Sequence, residues 1–353
     1  MKIAILNDTH CGVRNSSDIF IEYQERFYTD VFFPYLREHN IKKIIHLGDY
    51  YDNRKHINFK ALHANRRFFL DIIREDGIHM DIIPGNHDTY YKNTNELNAL
   101  KELMAWYMDE VKIHMDPITI NYEGLKVGLV PWINEDNEEK TLEYINSCNA
   151  SIVMGHFELD GYEVMKGIPH QGGTDPAILG RFDHVYSGHF HTKSSKGNIT
   201  YFGSQMEFTA ADAHDAKYFH VLDTENASMT AVHNPHTLFT KVYYDDTRHD
   251  YTKYDFSQLE NKFVRIVVTN KSDQSIFDNF VDAVQGIKIH ELKISENFLE
   301  FKGSNVDDQQ VSVDDTPTLL NSYVDAVETD LDKDRIKREI HDLMVEAQSM
   351  EIA

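Results

Sequence analysis

The sequence predicts an α/β fold in which helices cover largely parallel sheets. Short apolar runs alternate with amphipathic helical stretches over the first third of the chain, the pattern of strands joined by crossover helices. Five of these runs end directly in a short polar motif, and in such sheets ligands gather beyond the carboxyl ends of the strands. Past about residue 250 the texture changes to a shorter alternating module followed by polar, aperiodic chain.

Taken in order, runs at 2–6, 41–47, 79–84, 126–131, 151–154, 184–187 and 198–202 read as short, mostly buried strands. A helix is expected over 17–37, bent or shortened by Pro34, which lacks an amide donor. A second is expected over 58–75, with Asn58 as N-cap and Gly77 just past its end. A third is expected over 95–108. Beyond 250, an alternating strand at 262–269, a helix at 272–285 and a second alternating strand at 287–294 suggest a small β-α-β module. Residues 302–317 read as a linker. After it, Leu320, Tyr323, Val324 and Val327, then Ile336, Ile340, Leu343 and Met344, recur at helical spacing, as two short helices broken near 330–333. These apolar stripes fit packing on the parent domain and docking of a partner equally well. The expected division is 1–245, 250–300, 302–317 and 318–350.

Composition sets bounds. Hydrophobic residues make up 41% and aromatic ones 12% of 353 residues, so a large core can form and global disorder is excluded. No run approaches the ~20 apolar residues of a membrane span, and the N-terminus lacks an apolar signal region. Cys11 and Cys148 make no disulfide framework, so a soluble, reducing, cytoplasmic setting is expected. A formal net charge of −23 argues against holding nucleic acid by bulk attraction. Bound divalent cations would cancel part of that charge locally, and a partner subunit could supply positive surface.

The motifs carry the chemistry. They are Asp8-Thr9-His10, Gly48-Asp49-Tyr50-Tyr51-Asp52, Gly85-Asn86-His87-Asp88, Gly155-His156 and Gly188-His189-Phe190-His191. Residues two apart at a strand end point the same way, so Asp8 with His10 and His189 with His191 can each aim two ligand atoms into one cleft. Asp49 is the natural bridging carboxylate for two cations about 3.5–4 Å apart. The expected sets are Asp8, His10, Asp49 and His191 around one metal, and Asp49, Asn86, His156 and His189 around the other. Oxygen and nitrogen ligands without thiolate favour manganese; iron, zinc and nickel stay open, as does magnesium, although six-oxygen sites look different. His87 is the expected general acid, with Asp88 orienting its ring and Asp52 steadying a ligand. Taken singly, each motif has an ordinary explanation: a turn at Gly85-Asn86, a helix entry at Gly48-Asp49, chance for an isolated histidine among 20. All five at successive strand ends are not explained that way. Arg54 and Lys55 either steer a phosphate backbone or sit on a solvated loop, and Trp132 reads as core.

Together these residues resemble the signature of the calcineurin-like metallophosphoesterases. The resemblance implies an α/β (α+β) protein: a two-layer β-sandwich flanked by helices, with a small capping domain and C-terminal helices. The words Gly48 to Lys55, Val130-Pro131-Trp132, Gly155 to Gly161 and Ser187 to Thr192 are further similar to the SbcD and meiotic-recombination family of double-strand-break repair nucleases, including the recombination nuclease subunits of T-even-type bacteriophages. That resemblance implies a manganese-dependent homodimer acting on DNA as a 3′-to-5′ exonuclease on duplexes and an endonuclease on single strands. It also implies that the C-terminal helices dock on an SMC-like coiled-coil ATPase of the SbcC type. Some members carry His where this chain has Asp52, so that His's role does not carry over. Alternatives are a phosphatase or cyclic-nucleotide phosphodiesterase of the same superfamily, and a metal-bound scaffold without catalysis.

Overall fold

The computed structural model describes residues 1–296, 324 and 332–352. The expected linker at 302–317, and Leu320, Tyr323 and Val327 of the first C-terminal stripe, lie outside the described residues. Two compact units are present. The first comprises 1–206, 216–236 and 320–353; the second comprises 207–215 and 237–319.

Two six-stranded sheets build the first unit. One begins with β1 (Lys2–Leu6), β2 (Lys43–His46), β3 (His79–Ile82) and β4 (Val111–Ile113), all parallel neighbours. The other holds β5 (Ile118–Tyr122), β6 (Leu125–Val130) and β7 (Ile152–Gly155). A small hairpin, β8 (Glu163–Met165) and β9 (Ile168–Pro169), precedes β10 (His184–Ser187), β11 (Ser194–Lys196) and β12 (Ile199–Tyr201), which complete the second sheet. The chain then returns to the first sheet with β13 (Lys217–Asp223) and β14 (Ser228–Asn234), antiparallel along the free side of β1.

Ile3, Ile5, Ile45 and Leu47 from one sheet interleave with Val127, Leu129, Ile152 and Met154 from the other in a shared buried cluster. This is the two-layer sandwich. Helices cover its outer faces: the ring cluster of Phe27, Phe32 and Phe219 joins the helices at 18–38 to β13, while Ile145 of the helix Glu138–Ser147 packs with Val153 and Val185. Burying about 25 cal/mol per Å² of apolar surface on both faces is what makes the strands read as continuous apolar runs.

Parallel register levels the strand ends. Leu6, His46 and Ile82 are neighbours across the first sheet, and Val130, Gly155 and Ser187 across the second. Every motif therefore begins at nearly the same height.

Several expectations are corrected. The helix holding Pro34 neither stops nor shortens there: a π-turn at Tyr28–Phe32 joins Asp18–Phe27 to Phe33–Glu38, placing Pro34 in a first turn where its missing donor is tolerated. The helix expected over 95–108 is only Ala99–Leu103 plus a short 3₁₀ turn, because Asn98 caps it by accepting from the Lys101 amide at 3.0 Å. Asn58 does cap its helix, accepting from the Lys60 amide at 2.8 Å.

In the second unit a third parallel sheet contains β15 (Phe239–Asp245), β16 (Phe263–Asn270) and β17 (Glu291–Glu296), with the helix Gln274–Gln285 packed through Phe277, Phe280 and Val284. Phe239–Asp245 had been assigned to the first domain. It pairs instead with β16, so the second unit resumes at 237 and not near 250. The final helix is Lys333–Ile352, with Ile336 and Ile340 half-buried and Leu343 exposed.

Candidate metal centre

The five motifs meet in one place. Asp8 and His10 follow β1, Asp49 follows β2, Asn86 and His87 follow β3, His156 follows β7, and His189 and His191 follow β10. The turns that deliver them are strained. Asp8, His10, Asp49 and His189 have φ of 47°, 44°, 53° and 86°, in the left-handed region that non-glycine residues enter only when surroundings hold them there. Backbone bonds from Asp8 N to Gly48 O (2.9 Å) and from His10 N to Asp49 O (3.1 Å) tie the first two loops together. Gly85 is required by close approach: a Cβ there would lie 2.3 Å from Asp49 Oδ1.

Three clusters of ligand atoms result, each within 4.8 Å: Asp8, His10 and His191; Asp49, His156 and His189; and His10, Asp52 and His87. His10 Nε2 and His191 Nε2 are 3.1 Å apart, and His191 Nε2 is 3.8 Å from Asp8 Oδ1. Asp49 Oδ2 stands between the first two clusters, 3.9 Å from His10 Nε2 and 3.2 Å from His156 Nε2. Asn86 Oδ1 lies 2.9 Å from both His156 Nε2 and His189 Nδ1.

The donor chemistry tests whether metal fits. His156 Nδ1 faces the Leu47 carbonyl at 2.8 Å and His10 Nδ1 faces the Asp52 carboxylate at 3.2 Å. In the neutral rings those nitrogens carry the hydrogen, so both Nε2 lone pairs turn inward. They meet a carboxylate oxygen, an amide oxygen and other ring nitrogens. Acceptors gathered in a buried site need a proton or a cation among them. These His and Asp groups are suited to binding divalent metal.

Without metal, protons compete for the same place. Burial opposes charge on His156, but Asp49 and Asp8 override it and lift the imidazole to about 9. Burial and the neighbouring His156 charge push His189 down to about 3, and burial and His10 push His191 well down. Although burial disfavours its charge, Asp49 is held well below the ordinary carboxylate range by His156 and His87. Asp8 is raised by burial.

His87 sits partly exposed at the edge. Its Nδ1 lies 2.6 Å from the Asp52 carbonyl, and its amide donates to Asp49 Oδ1 at 2.7 Å. The expected role of Asp88 is corrected here. It holds backbone, accepting from Tyr50 N and Tyr51 N at 3.0 Å and from Gly85 N at 2.9 Å. Being buried, its carboxylate bridges loops and the Asp52 carbonyl takes over the ring. Burial and the Asp49 charge push Asp88 up to about 7.

Sequence reasoning missed several supports. Asn7 Nδ2 donates to Asp8 Oδ2 at 2.6 Å, and Gln24 Nε2 to Thr9 O at 2.7 Å. His46 accepts from Gly48 N at 3.2 Å through Nδ1 and meets Thr9 Oγ1 at 3.0 Å. Burial keeps His46 neutral, at about 3. Asn7 and His46 stand close to motifs in the sequence, whereas nothing local marks Gln24. Trp132 is buried as expected, yet the Arg54 guanidinium lies over its ring, 5.4 Å from the centroid. Cys11 is buried and its thiol is pushed upward by burial.

Sandwich, strand-end loops and ligand set define a class, and comparison agrees: residues 1–193 match the calcineurin-like phosphoesterase family, so the chain belongs to it and is a phosphodiester hydrolase. Among individual proteins, exonuclease subunit 1 of Enterobacteria phage T4 is 31% identical over 351 residues, covering 98% of this chain and 99% of the phage protein. Solved structures with similarity include an archaeal phosphodiesterase, at 15% identity and TM-score 0.34 over 66% of this chain and all of that one. Purple acid phosphatase PPD1 from yellow lupin (Lupinus luteus) seeds is 10% identical, with TM-score 0.39 over 65% of this chain and 52% of that one. No helix among the described residues is long and apolar enough to cross a membrane.

Proposed function

We propose that this chain is a DNA nuclease: a two-metal phosphodiesterase, manganese being the best match, that works as a homodimer with an SMC-like ATPase on its C-terminal helices. The observation that carries the catalytic part is the gathering of imidazole nitrogens from separate strand-end loops around Asp49 Oδ2 and Asn86 Oδ1, a mixed nitrogen and oxygen donor set suited to divalent cations. The near full-length likeness to an exonuclease subunit supports the choice of nucleic acid over a small phosphate ester.

Asp8, His10 and His191 would hold one cation and Asn86, His156 and His189 the other, with Asp49 between them. Such cations, when bound, polarise phosphate oxygens and make hydroxide available at neutral pH. The protein's own residues do the rest. The Leu47 carbonyl and the Asp52 carboxylate orient the rings of His156 and His10, which is how partners behind a ligand fix its tautomer. With Nδ1 directed at the Asp52 carbonyl, His87 keeps Nε2 as the atom that delivers a proton to the leaving oxygen. Its partial exposure leaves room for substrate.

The test is degradation of linear duplex and single-stranded DNA by purified protein with manganese, alone and with the ATPase. His87→Ala is expected to lower kcat by about 10²–10⁴-fold while metal content stays at the wild-type value. Turnover of p-nitrophenyl phosphate without any cutting of DNA would instead make the chain a phosphatase.

A further inference from the structure

Beside the metal centre lies a cavity of about 200 Å³ whose walls include Tyr51, Arg54, Lys55, Tyr90, Leu97 and Leu103. It shares the loop that carries Asp52, whose carbonyl holds His87. We propose that this cavity is a nucleotide subsite, taking one unstacked base of the strand being cut while Arg54 and Lys55 hold the adjoining phosphate. The proposal rests on the nuclease reading and deepens it.

Four observations carry it. The volume suits a single planar ring system and is below that of sites for larger ligands. Ile57, Tyr90, Leu97 and Leu103 give it an apolar wall beside the polar Asn98 and Glu102, and Tyr90 is 37% exposed, an aromatic ring within reach of a base to stack on, a contact that tolerates any sequence. Position is a third: Asn53, Arg54 and Lys55 line the cavity directly after Asp52, whose carbonyl lies 2.6 Å from His87 Nδ1. Finally, cations gather here on a chain whose net charge is −23. Lys55 Nζ lies 5.9 Å from the Tyr90 centroid, and the Arg54 guanidinium lies over Trp132. A guanidinium stacked on an indole keeps its edge for a phosphate oxygen. Together these supply an apolar slot for a base and a cationic rim for its phosphate, next to the proposed proton donor.

The subsite predicts that a base-bearing diester is preferred over a base-free one. The manganese-loaded protein is assayed on thymidine 5′-(p-nitrophenyl phosphate) and on bis(p-nitrophenyl) phosphate. Ala99→Phe, which fills the cavity, is expected to lower the kcat/KM ratio of the first to the second by about tenfold, the worth of one stacked base. Binding is read independently. With Trp106→Phe, Trp132 is the sole remaining tryptophan of two. A short single-stranded oligodeoxynucleotide, added without metal, should then change its emission by setting a phosphate against the guanidinium over the indole, and Arg54→Ala should abolish that change. This second measurement decides the matter if Ala99→Phe does not fold. An unchanged ratio in a folded Ala99→Phe protein, or a flat Trp132 emission, overturns the subsite even while the wild type cuts DNA. DNA left uncut while ratio and emission both respond removes the nuclease reading and leaves the subsite standing.

Discussion

Two buried carboxylates on neighbouring strands of the first sheet have opposite surroundings. Asp81, within β3, is fully paired: Oδ1 accepts from His114 Nε2 at 2.8 Å, and Oδ2 from the Tyr122 hydroxyl and Lys43 Nζ, both at 2.6 Å. Asp49, just past β2, has Oδ1 on the His87 amide but turns Oδ2 toward imidazole nitrogens whose other partners already claim the hydrogen. Both are charged and buried, yet one network pairs each oxygen with a fixed donor, whereas the other is completed by a proton on His156 in the place where a cation would sit. Satisfaction of donors and acceptors, and not burial or charge, separates a structural polar cluster from a metal centre.

The comparison breaks most sharply by substitution. Asp49→Asn is expected to lower kcat by about 10³-fold or more, since metal ions supply several kcal/mol of transition-state stabilisation. Asp81→Asn should do the reverse, keeping kcat within a few fold and costing about 3 kcal/mol of stability by leaving Lys43 and His114 short of a partner. Denaturant unfolding of the metal-free proteins alongside steady-state kinetics checks both arms. Equal effects on kcat would erase the distinction.

A smaller effect sharpens it through pH. Asp81 is held down to about 2; burial opposes this, but His114, Lys43 and Tyr122 prevail. A depressed carboxylate stabilises the fold above its unfolded value near 3.9 and loses that contribution as pH falls through about 2. His156 behaves oppositely. Raised to about 9, it stabilises the metal-free fold below its unfolded value near 6.5, and that contribution disappears as pH rises through about 9. Metal must displace this proton, so affinity should climb about tenfold per pH unit between those limits and level off above them. Titration calorimetry in buffers of different ionisation enthalpy measures the released proton. Uptake without proton release would place His156 outside the site.

Much of this was legible because strand ends and metal ligands both leave strong local traces. Five of the apolar runs are followed within a few residues by Asp, Asn or His, and parallel pairing then brings those residues level. Asp88 was placed correctly beside His87 but given the wrong partner, since its three backbone donors come from loops that only the fold unites. The Arg54–Trp132 stack joins residues from separate strand-end loops, and nothing local announces it. Phe239–Asp245 misled because a strand's composition does not name its neighbour; its pairing with β16 is a tertiary choice. Pro34 misled because a π-turn absorbed the missing donor.

The most direct measurement is anomalous diffraction from crystals soaked in manganese. Two peaks about 3.5–4 Å apart, one beside Asp8, His10 and His191 and the other beside Asn86, His156 and His189, with Asp49 reaching both, are the expected result. A single peak, or none at these side chains in protein that still hydrolyses phosphodiesters, would contradict the account.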